Sequence, residues 1–161
     1  MNEPERDGTK LARVIILIQK GRHEGARAEL EAFHPAPPLD AAAWLLQAML
    51  YRNTDTEKCW AVLSMALDRY PNHPMVNLRT GVFAYERGDL ERARILLEHS
   101  WATGPNPEAG IYLGRIYAAR GEVERGCQFL AQAASFDGER AYWWERAGRE
   151  LSELLSEARS T

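Results

Sequence analysis

Apolar and small residues recur along this 161-residue chain in two alternating sets. One set is headed by Ala26, Cys59, Ala93 and Gly126. Four residues on stand Leu30, Leu63, Leu97 and Leu130, and three further on Phe33, Ala66, Ser100 and Ala133. Steps of four and three place these columns on one face of an α-helix. The other set is headed by Val14, Ala48, Gly81 and Gly114, with Leu11, Leu45, Leu78 and Ile111 three residues before them. A small side chain at the head of each set lets a partner helix come close. Successive copies lie 33 or 34 residues apart, so the pattern predicts paired helices repeated four times.

The residues between the runs fit that reading. Gly21, Gly88 and Gly121 stand where a left-handed residue closes a helix, with Asn53-Thr54 in the corresponding place of the second copy. The pairs end at Pro38, Pro71 and Pro105, and the last at Gly138. Asn106-Pro107-Glu108 combines an N-cap, a proline for the first helical position and an acid near the positive end of the helix dipole. Asn72-His73-Pro74 is a weaker form, and Thr54 to Glu57 reads as a capping box. Beyond residue 138, Trp143 and Trp144 open a further first helix. Leu151, Leu154, Leu155 and Ala158 continue it as an i, i+3, i+4, i+7 stripe. No second-helix pattern follows, so this helix is expected to cover the last apolar face of the array.

These positions resemble the tetratricopeptide repeat family. The last copy carries Leu113-Gly114, Tyr117, Gly121, Leu130 and Ala133, which match the family pattern closely. The resemblance covers residues 7 to 138. It implies an all-α fold, a right-handed superhelical array of helix-turn-helix repeats with four helix pairs and a C-terminal capping helix. The expected organisation is a flexible N-terminus at 1–6, repeats at 7–38, 41–72, 74–105 and 107–138, and the capping helix and tail at 139–161. The copy at 7–38 is degenerate, and the copy at 41–72 lacks one residue at its inter-helix turn.

Composition narrows the function. A hydrophobic fraction of 45% supports a continuous core. The formal net charge of −3 argues against a nucleic-acid footprint, which needs a basic face. The bias of 17 Arg over 3 Lys, with abundant Ala, suits a bacterial, GC-rich coding sequence. Cys59 and Cys127 are far apart and form no metal or redox motif. The apolar run from Val14 to Ile18 is too short to span a membrane and lacks the surroundings of a signal peptide, so the expected location is the cytoplasm. No phosphate-binding glycine loop, nucleophile elbow or zinc-binding His pair is present, and His23, His34, His73 and His99 have no partner at metal-ligand spacing. No catalytic residue, metal or cofactor is expected.

The resemblance places the working surface on the first helices, which line a concave groove in the family. One and four residues after the small column come Ile15, Ile18, Met49, Arg52, Val82, Tyr85, Arg115 and Ala118. Leu45, Leu78, Ile111 and, in the last helix, Trp144 stand three before it. Family members that clamp a C-terminal carboxylate use Lys, Asn and Arg there, and only Arg79 matches that pattern, so an apolar or amphipathic segment suits this face better. Arg52, Arg79 and Arg115 would steer an acidic flank of the ligand. Trp101 and Trp144 are further candidates for partner or dimer contact. The expected function is a non-enzymatic adaptor or chaperone for a protein or peptide segment. By family analogy that segment belongs to a subunit of a secretion, pilus or motility assembly. The rival expectation is a homodimer formed through the apolar face or the last helix.

Overall fold

The computed structural model describes residues 3–32, 39–136 and 141–159 of the chain, and among them are nine α-helices and no strand. They divide into two units, Met1–Pro71 and Asn72–Thr161. The first unit holds α1 (Glu3–Gln19), α2 (His23–Glu31), α3 (Leu39–Tyr51) and α4 (Thr56–Arg69). The second holds α5 (Pro74–Glu86), α6 (Leu90–Thr103), α7 (Pro107–Ala119), α8 (Val123–Ala134) and α9 (Ala141–Arg159). Residues 3–6, expected to be a flexible extension, are the first turn of α1. Phe33, Pro38 and Gly138 lie outside the described residues, as do the side chains of Trp143, Trp144 and Ala158.

In the first unit α1 packs on α2, α3 on α4, and α3 also touches α1 and α2. The column residues make that packing: Leu11, Val14, Ala26, Leu30, Ala43 and Leu50 form one buried cluster, with Leu17, Ile18 and Leu46 against it. In the second unit α7 lies beside α5, α6, α8 and α9. Ile111, Leu130, Ala133 and Ala147 form its outer cluster, closed by Leu151 and Leu154 of α9. Each such leucine, when fully buried, contributes about 1.5–3 kcal/mol from its apolar area alone. Gly114 is required by close approach, because a Cβ there would stand 2.5 Å from Leu130 Cγ.

Three inter-helix turns use one design. Gly21, Gly88 and Gly121 have φ of 70°, 83° and 81°, the left-handed region that favours glycine. The next residue's N–H then reaches five residues back, as Arg22 N does to Leu17 O at 2.8 Å and Glu122 N to Tyr117 O at 2.9 Å. The second copy departs from this. α3 stops three residues after Ala48, whereas α1, α5 and α7 stop five after their small residues. Its turn, residues 52–55, is one residue longer than the others. The residue expected to be missing from the turn is therefore taken out of the helix. The N–H groups of Thr54 and Asp55 both donate to Tyr51 O, at 3.0 and 2.8 Å, and close the helix without glycine.

The caps confirm one expectation and change two. Asn106 Oδ1 accepts from Ala109 N at 2.9 Å, with Pro107 in the first helical position. His73, not Asn72, caps α5, its Nδ1 accepting from Val76 N at 3.4 Å. The capping box at Thr54 does not form. Asp55 caps α4 by accepting from Lys58 N at 3.0 Å, while the Thr54 hydroxyl donates back to Leu50 O. The carboxylate one residue on is the stronger acceptor for a helix N-terminus.

Candidate partner-binding face

The first-helix face differs between the two units. In the first, Ile15 on α1 and Met49 on α3 occupy the same register and are 42% and 49% exposed. Ile18 and Leu45 beside them are half-buried, Ile18 against the core. Arg52 is exposed just beyond the end of α3. These four apolar side chains lie on neighbouring helices that pack together.

In the second unit the expected face is closed. Leu78, Val82 and Ile111 are only 1%, 2% and 0% exposed, so they belong to the interior and are unavailable to a partner. For Ile111 the cause is direct: α9 lies against α7, and Ala147 and Ile111 share one cluster. Tyr85 is half-buried and meets Tyr112 edge to face, with ring centres 5.1 Å apart. Trp101, expected at a partner contact, packs inward against Phe129 and Phe136 at 5.7 and 5.9 Å. Trp144 lies in α9, and its side chain is outside those described.

The arginines are committed to internal pairs. Arg79 Nη1 donates to both carboxylate oxygens of Glu108, at 2.9 and 3.0 Å. Arg115 donates through Nε and Nη2 to the two oxygens of Glu150, the first at 2.8 Å, and lies over the Tyr112 ring. The bond to Glu150 pushes the Arg115 guanidinium up from its already high range. Arg146 donates to the same carboxylate at 3.2 Å. Steering of an acidic flank by Arg79 and Arg115 is thus corrected, because each is largely neutralised by its partner. Burial, and secondarily the Glu86 carboxylate, raises the Tyr112 hydroxyl above its usual range.

One polar arrangement escaped the sequence reading. Tyr51 of α3 donates its hydroxyl to Glu31 of α2 at 2.8 Å, with the Arg27 guanidinium 4.9 Å and the Lys58 ammonium 5.5 Å from the ring centre. In the second unit Tyr117 of α7 donates to Glu98 of α6. Arg94 bonds that carboxylate at 2.7 Å, and Arg125 lies 4.1 Å over the tyrosine ring. The registers are identical. Arg27 and Arg94 follow the second-helix small residue by one, Glu31 and Glu98 follow it by five, and Lys58 and Arg125 precede the next one by one. Each clip ties a second helix to the first helix of the following repeat. The signal was present as Arg and Glu four apart, followed by a tyrosine in the first-helix column.

The tetratricopeptide repeat family model matches residues 42–73, which is the second helix pair. No curated protein sequence matches the chain. Solved structures match along nearly its whole length. MamA from Desulfovibrio magneticus RS-1 is 19% identical, with 96% of each chain covered and a TM-score of 0.67. TTC0263, a thermophilic tetratricopeptide repeat protein of Thermus thermophilus, is 17% identical at a TM-score of 0.68, covering 86% of this chain and 77% of that one. Pseudomonas aeruginosa PilF is 17% identical at a TM-score of 0.77, covering 98% of this chain and 71% of that one. At such identities the likeness is one of fold. Together with the match at 42–73, it gives this chain the helical-repeat fold of tetratricopeptide repeat proteins. Among the described residues, no helix is long and apolar enough to cross a membrane.

Proposed function

We propose that the chain is a non-catalytic adaptor or chaperone that holds a short apolar or amphipathic segment of a partner protein on the first-helix face of its first unit. The observation that carries this reading is the exposure of Ile15 and Met49 at the same register of α1 and α3, with Ile18 and Leu45 of those helices half-buried. Leaving two large apolar side chains in water is unfavourable, and covering them on binding recovers their transfer energy. A subunit of a secretion, pilus or motility assembly remains the partner class carried forward. The test is the pair Ile15→Glu with Met49→Glu, assayed by partner pull-down from the native host. Capture is expected to be lost while helicity and melting temperature hold, because both positions are exposed. Capture that persists overturns the reading. A second reading, a homodimer through α9, draws on Leu155, which is exposed beyond the stripe that Leu151 and Leu154 bury. Sedimentation across concentrations, with Leu155→Glu, separates the two.

A further inference from the structure

The tyrosine clips recur at alternate steps of the array. One joins the first repeat to the second, through Arg27 and Glu31 of α2 and Tyr51 of α3. The other joins the third repeat to the fourth, through Arg94 and Glu98 of α6 and Tyr117 of α7. Both tyrosines are buried, at 7% and 1% exposure, and each gives its hydroxyl to a carboxylate. Such a charge-assisted bond is stronger than one between neutral groups. In α4 and α5 the same register holds Trp60, Ser64 and Ala84. Serine brings no carboxylate and alanine no hydroxyl, so these residues cannot make the clip. The division of the chain into units, between Pro71 and Asn72, falls at that step. The register after α8 holds Cys127, Ala131 and Glu150, which cannot make it either. There α9 is held otherwise, by Ala147 against Ile111 and Leu130 and by Glu150 on Arg115.

We infer that the clips set the step in which the array opens. The first two repeats open together, the last two open together with α9, and either group opens while the other stays folded. In an array whose repeats meet only their neighbours, the strength of each neighbour link decides how far an opening spreads. A clipped pair loses its tyrosine bond when either member opens, so the two go together. This inference does not depend on what the first-helix face holds.

The test is hydrogen exchange of the full chain at neutral pH, read from the slowest amides of each helix, which report the largest opening. Tyr51→Phe keeps the ring and removes the bond. It is expected to speed exchange about fivefold or more through α1 to α4 and to leave α5 to α9 unchanged. Tyr117→Phe is expected to do the reverse. Glu31→Gln and Glu98→Gln keep an acceptor and are expected to give the same two regional patterns at smaller size. Acceleration spread over both units by either tyrosine variant overturns the inference, since the chain would then open as one body. Acceleration confined to the two helices a clip touches overturns it too, as does none at all.

Discussion

The two units place different surfaces at the same register. One residue after the small column, the first unit exposes Ile15 and Met49, whereas the second buries Val82 and ties Arg115 to Glu150. Three residues before the column, Leu45 is half-buried and Leu78 is interior. Two physical differences accompany this. The second unit has glycine at the head of both first helices, and Leu97 and Leu130 come so close that a Cβ would stand 2.8 and 2.5 Å from them. It also has a fifth helix, α9, laid against α7. A similar repeat pattern therefore leaves Ile15 and Met49 exposed in the first unit and Leu78, Val82 and Ile111 interior in the second.

The widest separation between the units is expected from the leucine register. Leu78→Ala is expected to cost about 2–5 kcal/mol, the range for a fully buried leucine. Leu45→Ala, partly solvated already, is expected to cost roughly 1 kcal/mol. Urea unfolding of both variants measures the gap, and equal costs would erase the distinction drawn here. A smaller contrast lies in the small-residue column. Gly114→Ala is expected to destabilise by about 1–3 kcal/mol through overpacking against Leu130, outweighing the better helix propensity of alanine. In the first unit the opposite change, Ala48→Gly, is expected to cost about 0.5–1 kcal/mol through chain entropy. Thermal melts in which Gly114→Ala stabilises would refute the close approach of α7 and α8.

A further effect probes what the units share. Tyr51→Phe and Tyr117→Phe each remove a hydroxyl bonded to a carboxylate, at an expected cost of about 1–2 kcal/mol. The tyrosine hydroxyls are raised above 10.0 in the fold, Tyr51 chiefly by its bond to Glu31 and Tyr117 chiefly by burial. A folded state that holds the proton more tightly than the unfolded chain is fully stabilised below that pH and loses the contribution as pH rises through it. The native chain should therefore lose stability above about pH 10 more steeply than either phenylalanine variant. Coincident alkaline slopes would show that the clips do not operate.

Much of the fold was legible because its determinants are local. Ala26, Cys59, Ala93 and Gly126, the leucines four residues on, and the described members of the third column are all buried on the helix face that the spacing predicted. The left-handed glycines stand at three of the four turns. Thr54 misled because a better acceptor, Asp55, was adjacent. The early end of α3 followed from a missing residue whose absence could be absorbed by helix or by turn. The candidate site was less legible. Arg79 meets a carboxylate 29 residues away and Arg115 one 35 residues away, separations at which periodicity carries no information.

The sequence by itself determined which stretches are helical, which face of each turns inward, and that they pair in repeats, since a 3.6-residue period and a glycine turn are properties of neighbouring residues. Only the tertiary structure decided which first-helix side chains meet solvent. The stripe of Ile15, Met49, Val82 and Ile111 looks uniform along the chain, yet exposure depends on what the fold lays over each helix. α9 closes over α7, while Ile15 and Met49 remain uncovered on α1 and α3. The same covering helix brings Glu150 to Arg115.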